Sequence, residues 1–273
     1  MANHQEKILL TKEQETLLIP LYSKVNESQR PNPIFVDEKS REVLDQVEYD
    51  FANLEVPRKT TITLCLRAKK LDAYAHEFLA AQPGGVVLHL GCGPDSRYLR
   101  VNNGQVDWYD LDLPDVIDLR RKFFVETDQY RLIPSSVTDW RWLDRVAAQG
   151  RPVLVMAEEL LMYLKEADVK ALVLKLKSAF PGCKLACDAY SLLTTSKANA
   201  HPSLKKTGAV IQWGPADAKT LESWSAGIHL KEEWYFVQAE EISRLGLVYR
   251  SLFKLAGLFS VANKAHRILY YDL

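Results

Sequence analysis

An apolar run, Val86-Val87-Leu88-His89-Leu90, leads straight into Gly91-Cys92-Gly93, and two carboxylates, Asp110 and Asp112, close the next apolar stretch. In a doubly wound sheet this pairing holds a nucleoside. The glycine turn lets backbone approach the ligand, and a carboxylate at the tip of the following strand takes ribose hydroxyls. Asp110 and Asp112 compete for that role, because strand alternation sends both to one side. A second acidic pair, Glu158 and Glu159, follows the apolar run 152–157, again where α/β ligands bind. Arg67 offers a planar fork suited to a carboxylate, although an exposed helix charge is the ordinary fate of an arginine.

These residues need a scaffold, and the hydrophobic pattern supplies one. Residues 61–81 carry Leu64, Leu71, Ala75, Phe78 and Leu79 on one helical stripe, stopped at Pro83-Gly84-Gly85. Residues 40–51 read as a further helix. Strands are predicted over 86–90, 106–111, 130–135, 152–157 and 184–190, alternating with helices, so that right-handed crossovers make them one parallel sheet. Residues 239–245 read as a short helix, and 248–253 with 268–271 as two terminal strands forming an antiparallel addition. The fold class expected is α/β, a Rossmann-like seven-stranded sheet, mostly parallel with an antiparallel edge strand. An N-terminal helical cap spans 1–82 and the nucleoside-binding domain 83–273. Within the latter, 191–237 reads as a lid insertion carrying Trp213, Trp224 and Trp234, half of the six tryptophans. They either face an apolar acceptor or form a satellite core.

Composition bounds the partners. Lys+Arg and Asp+Glu both number 35, so no basic excess points to nucleic acid. No apolar run reaches membrane-spanning length, and the first residues lack a signal-peptide layout. No nucleic-acid or membrane partner and a cytoplasmic location are therefore expected. Cys65, Cys92, Cys183 and Cys187 include no Cys-x-x-Cys pair, so free thiols rather than a metal site are expected.

Four blocks in order then carry a family resemblance: Leu90-Gly91-Cys92-Gly93-Pro94-Asp95-Ser96-Arg97, Asp110-Leu111-Asp112-Leu113-Pro114, Ala157-Glu158-Glu159-Leu160-Leu161-Met162-Tyr163, and, upstream, Arg67 five residues before Asp72. The chain resembles the leucine carboxyl methyltransferases and their bacterial polyketide O-methyltransferase-like relatives, from about Leu17 onward. The resemblance implies S-adenosylmethionine as donor. It implies that Lys24 and Arg67 hold the methionyl carboxylate, Gly91 and Gly93 lie against the ligand, Asp112 takes the ribose, and Glu158 sits near the ammonium. The adenine would meet Ser136 and Val137, where the family often has an Asp-Leu pair.

An activated sulfonium methyl needs alignment and desolvation of its acceptor; an ionised carboxylate needs no base, whereas a hydroxyl gains from one. Asp188, Tyr190 and His201 are the candidate bases. The function expected is methyl transfer to a carboxylate or hydroxyl of a small molecule, aromatic or polyketide-like. The alternatives are a protein C-terminal carboxyl methyltransferase and a non-catalytic donor-binding scaffold. A nicotinamide dehydrogenase is disfavoured because Ser96 stands where a dinucleotide fingerprint has its third glycine.

Overall fold

The computed structural model describes residues 17–47, 49, 51–198 and 210–273. Their elements run α1 (Leu18–Ser28), α2 (Glu38–Asp45), α3 (Arg58–Ala81), β1 (Val86–Leu90), α4 (Arg97–Val101), β2 (Asp107–Asp112), α5 (Pro114–Arg120), β3 (Tyr130–Pro134), β4 (Val153–Ala157), α6 (Glu166–Ala179), β5 (Lys184–Tyr190), α7 (Leu192–Ala198), β6 (His229–Tyr235), α8 (Leu247–Gly257), α9 (Ser260–Lys264) and β7 (His266–Asp272). Seven strands form one sheet in the order β3-β2-β1-β4-β5-β7-β6. The first five are parallel. The last strand, β7, runs antiparallel between β5 and β6. Strand order reverses between β1 and β4, the switch point at whose carboxyl edge such sheets bind ligands.

Strand parity sorts the side chains. Val87, Trp108, Leu154, Met156 and Ala186 face the cluster that includes Leu21, Ile62, Leu66 and Leu71 of α1 and α3. Their neighbours Val86, Leu88, Leu111, Val155 and Leu185 face the opposite cluster with α6. The helices before residue 82 therefore share a continuous core with the sheet. All five residues of β1 are buried, and its four apolar side chains are each worth about 1.5–3 kcal/mol of transfer free energy. The same parity puts His89, Asp110, Asp112, Glu158 and Asp188 on the face covered by α1 and α3.

Three sequence expectations are corrected. Residues 248–253 are not a strand but lie inside α8, whose Phe253 is buried against the core of the cap face. The seventh strand is instead β6, within the segment read as a lid, so the excursion from the sheet ends before His229. A short apolar run is ambiguous between helix and strand, and β6, at the sheet edge with Lys231, Glu232 and Glu233, hides its alternation behind charge. The helix expected over 40–51 is α2, which starts earlier because Asp37 caps it by accepting the Ser40 N–H at 3.0 Å. Among the described residues no helix is long and apolar enough to cross a membrane, and no cluster of His, Cys, Asp and Glu is arranged to hold a metal.

Candidate active site

The carboxyl edge of the sheet carries the glycine turn, and Gly91 there has φ +65°, where a Cβ would lie 3.1 Å from Leu160 Cδ1. Glycine is required by both conformation and space. Gly93 also has positive φ. Its N–H donates to Asp112 Oδ2 at 2.8 Å, while Asp112 Oδ1 accepts the Leu113 N–H at 2.8 Å. Burial raises the Asp112 carboxyl above its ordinary value, against the opposing pull of these two amides. Arg120, at the end of α5, ties the loop down by donating to the Gly93 carbonyl at 2.6 Å and the Asp95 carbonyl at 2.6 Å.

Asp110 has a different role from the one its position invites. Its Oδ2 accepts from Arg120 Nη2 at 2.5 Å and from the Tyr130 hydroxyl at 2.6 Å. Its Oδ1 accepts from Trp108 Nε1 at 2.8 Å and faces His89 Nδ1 at 3.1 Å. Those contacts use the four acceptor positions of a carboxylate in a fully buried residue, leaving none for a ribose. Asp110 braces the sheet, whereas Asp112 stands at its carboxyl edge, bound among the described residues only to two backbone amides.

Above the switch point lies a continuous ion-pair network. Arg67, from α3, is 1% exposed and reaches Glu158 Oε1 through Nε at 2.6 Å, Glu159 Oε1 through Nη1 at 2.8 Å and Asp188 Oδ2 at 3.6 Å. Arg97 takes the other Glu158 oxygen at 2.5 Å, Asp72 at 2.7 Å and Asp95 at 3.2 Å. Lys24, from α1, pairs with Asp95 at 2.8 Å. Arg100 joins Asp37, Asp72 and Asp95. Burial would raise the Glu158 carboxyl, but the Arg67 and Arg97 guanidinia outweigh it and hold it well below the usual range. The network sets Lys24, Arg67, Arg97 and Arg100 against Asp37, Asp72, Asp95, Glu158, Glu159 and Asp188, a formal surplus of two carboxylates. Glu159 is held in the left-handed region at φ +51°, a strain of the kind found at ligand sites.

The remaining sequence candidates divide. Ser136 lies half-buried beyond β3, its hydroxyl 2.9 Å from that of Thr138. The Val137 side chain belongs to the core of the far face, so only its backbone is placed to meet a ligand. Tyr190 ends β5, and burial and then Glu159 push its phenol far up. His201 lies outside the described residues. Trp213 and Trp224, ring centroids 6.1 Å apart, pack into the far core, and Trp234 into the cap-face core, so these tryptophans serve the sheet's main cores. The return of the excursion is pinned where the Gln212 and Trp213 N–H groups donate to the Met162 carbonyl at 2.8 and 3.2 Å. All four cysteines are free and buried.

Residues 20–177 match the leucine carboxyl methyltransferase family. The chain belongs to that family. It is 37% identical to the tetracenomycin polyketide synthesis O-methyltransferase TcmP of Streptomyces glaucescens, over 97% of this chain and 98% of that protein. It is 29% identical to the S-adenosyl-L-methionine-dependent methyltransferase dpfgK of Gibberella zeae, over 94% of each. Among solved structures, a DUF574 family protein from Streptomyces avermitilis superposes with a TM-score of 0.60 at 10% identity, covering 96% of this chain and 99% of that one, a likeness of fold. The protein is thus a methyltransferase with S-adenosylmethionine as its methyl donor.

Charged residues that the sequence reading left without a role, Arg100, Arg120, Asp37 and His266, come from four separate places in the chain. Each looks like an ordinary surface charge until the fold buries or half-buries it against a partner.

Proposed function

We propose that this chain methylates an oxygen, hydroxyl or carboxylate, of a small aromatic or polyketide-like molecule. The observation that carries the donor half is the convergence of Gly91, Asp112, Glu158 and Arg67 on one edge, inside a network with a surplus of negative charge. That chemistry suits S-adenosylmethionine, whose ammonium and sulfonium outnumber its carboxylate. In this reading Asp112 takes the ribose hydroxyls and the backbone at Gly91 and Gly93 lies against the donor. Ser136 and the Val137 backbone border the adenine. Glu158 receives the ammonium, and Arg67 with Lys24 holds the carboxylate, each shifting part of its attraction from a protein acid to the ligand. When bound, the donor supplies an electrophilic methyl, and the protein aligns the acceptor and excludes water. The acceptor half is supported by the likeness to the tetracenomycin O-methyltransferase over nearly the whole of both chains.

Calorimetric titration with S-adenosylmethionine and S-adenosylhomocysteine, with NAD as control, tests the donor site. Label from the methyl group is then followed into a panel of polyphenols, aromatic carboxylates and a peptide ending in leucine. Label in the small molecules supports the reading. Label in the peptide alone replaces it with protein carboxyl methylation.

A further inference from the structure

One histidine at the same edge has a ring nitrogen with no hydrogen-bond partner among the described residues, and a restricted orientation. His266 opens β7, and the antiparallel register sets it directly across from Tyr190 at the end of β5. Its Nε2 lies 2.8 Å from Asp188 Oδ2, with the histidine side chain 14% exposed and the aspartate fully buried. The other Asp188 oxygen accepts the Glu159 N–H at 2.7 Å, which locks the carboxylate in place. A carboxylate accepts and does not donate, so Nε2 carries the ring proton and Nδ1 is the basic nitrogen. The ring is clamped between Tyr190 and Phe236, with centroids 4.4 and 4.8 Å away. A base nitrogen, a buried orienting carboxylate and a restricted ring are the parts from which hydroxyl activation is built.

His89 shows the contrast. Its Nε2 faces Arg97 Nη1 at 2.9 Å and its Nδ1 faces Asp110, so both nitrogens are engaged and it braces the core. Position also favours His266. Asp188 Oδ2 lies 3.6 Å from Arg67 Nη1, and the same guanidinium holds Glu158. The imidazole is therefore joined through one carboxylate and one guanidinium to the residue assigned to the donor's ammonium.

We infer that His266 is the general base that takes the proton from an acceptor hydroxyl, with Asp188 as its positioning residue. The inference rests on the O-methylation reading and narrows it, since a carboxylate acceptor would need no base. As the acceptor O–H breaks, its proton passes to Nδ1. The oxygen lone pair forms the new C–O bond, and the methyl–sulfur bond breaks with its electrons left on sulfur. The groups facing the ring or its carboxylate are Asp188 and Tyr190 from β5, Glu159 and Tyr163 from the segment after β4, and Arg67 from α3, with Lys264 and Arg267 flanking along the chain.

The test compares two phenols at neutral pH with S-adenosylmethionine: 1-naphthol, largely protonated, and pentafluorophenol, largely ionised. His266→Asn is expected to slow 1-naphthol methylation about 10²–10⁴-fold, and pentafluorophenol methylation far less. Equal slowing of both overturns the base role. An independent readout is the tautomer of the His266 ring, read by 15N NMR with S-adenosylhomocysteine bound. The proton is expected on Nε2 with Nδ1 bare, and Asp188→Asn is expected to weaken that preference. A wild-type ring that carries its proton on Nδ1 overturns the proposal without reference to any acceptor. Failure of the hydroxyl reading is told apart, because wild type and variant would then be equally inert toward both phenols.

Discussion

Glu158 lies between two guanidinia, with Arg67 Nε 2.6 Å from one carboxylate oxygen and Arg97 Nη2 2.5 Å from the other. The pairing joins a cap helix to the carboxyl edge of β4 and fixes the position of a buried charge there. Glu158→Gln keeps the shape and removes the charge. Breaking a buried pair from one side costs about 3–5 kcal/mol of stability. Loss of a charged hydrogen bond to the ligand weakens donor binding by about 1.5–3 kcal/mol. Denaturant unfolding measures the first and calorimetry with S-adenosylhomocysteine the second. A folded variant that binds like wild type removes Glu158 from the donor site.

Asp112 and Gly91 test the turn. Asp112→Ala should weaken donor binding by about 1.5–3 kcal/mol, read by calorimetry with S-adenosylhomocysteine. Gly91→Ala places a side chain at φ +65° and 3.1 Å from Leu160 Cδ1. It should lower stability by about 1–3 kcal/mol, read from thermal unfolding. Combining it with Leu160→Ala removes the Cδ contacts but leaves the Leu160 Cβ 3.2 Å away and the backbone strain, so only part of the loss should return.

Acid stability follows from Asp110. Burial would raise its carboxyl, but the Arg120 guanidinium and the hydrogen bonds from His89 and Tyr130 lower it to about 2. A folded-state value depressed below the ordinary ~3.9 contributes stability that is complete above that value and lost as the pH falls toward 2. The melting temperature of Asp110→Asn should therefore start lower at neutral pH and fall less on acidification than that of wild type. A parallel fall in both proteins would deny Asp110 its part in acid unfolding.

Trp213 separates packing from recognition. It is buried in the far core beside Trp224. Trp213→Ala should cost about 3–5 kcal/mol in stability, as for other buried large-to-small changes, and leave donor affinity unaltered at temperatures where the variant is folded. A stable variant with a raised acceptor KM would return the tryptophan to an acceptor-facing role.

Local pattern determined much of this protein. The five parallel strands, the glycine turn, the acidic strand end and the long helix carrying Arg67 all rest on short-range signals, namely apolar runs, Pro-Gly stops and residue spacing. The order of the blocks pointed to the family. What tertiary structure decided is where burial changes a residue's task. Asp110 and Asp112 are two positions apart on one face of β2, yet Arg120 and Tyr130, from other elements, consume the first and leave the second at the edge. The apolar run inside α8 reads as a strand, and the charged edge strand β6 reads as part of the lid, because pairing and packing partners, not periodicity, decide between the two outcomes. His266 and Asp188 are 78 residues apart. Only the antiparallel register of β5 and β7 brings them together, and long-range pairing of that kind leaves no trace in residue spacing.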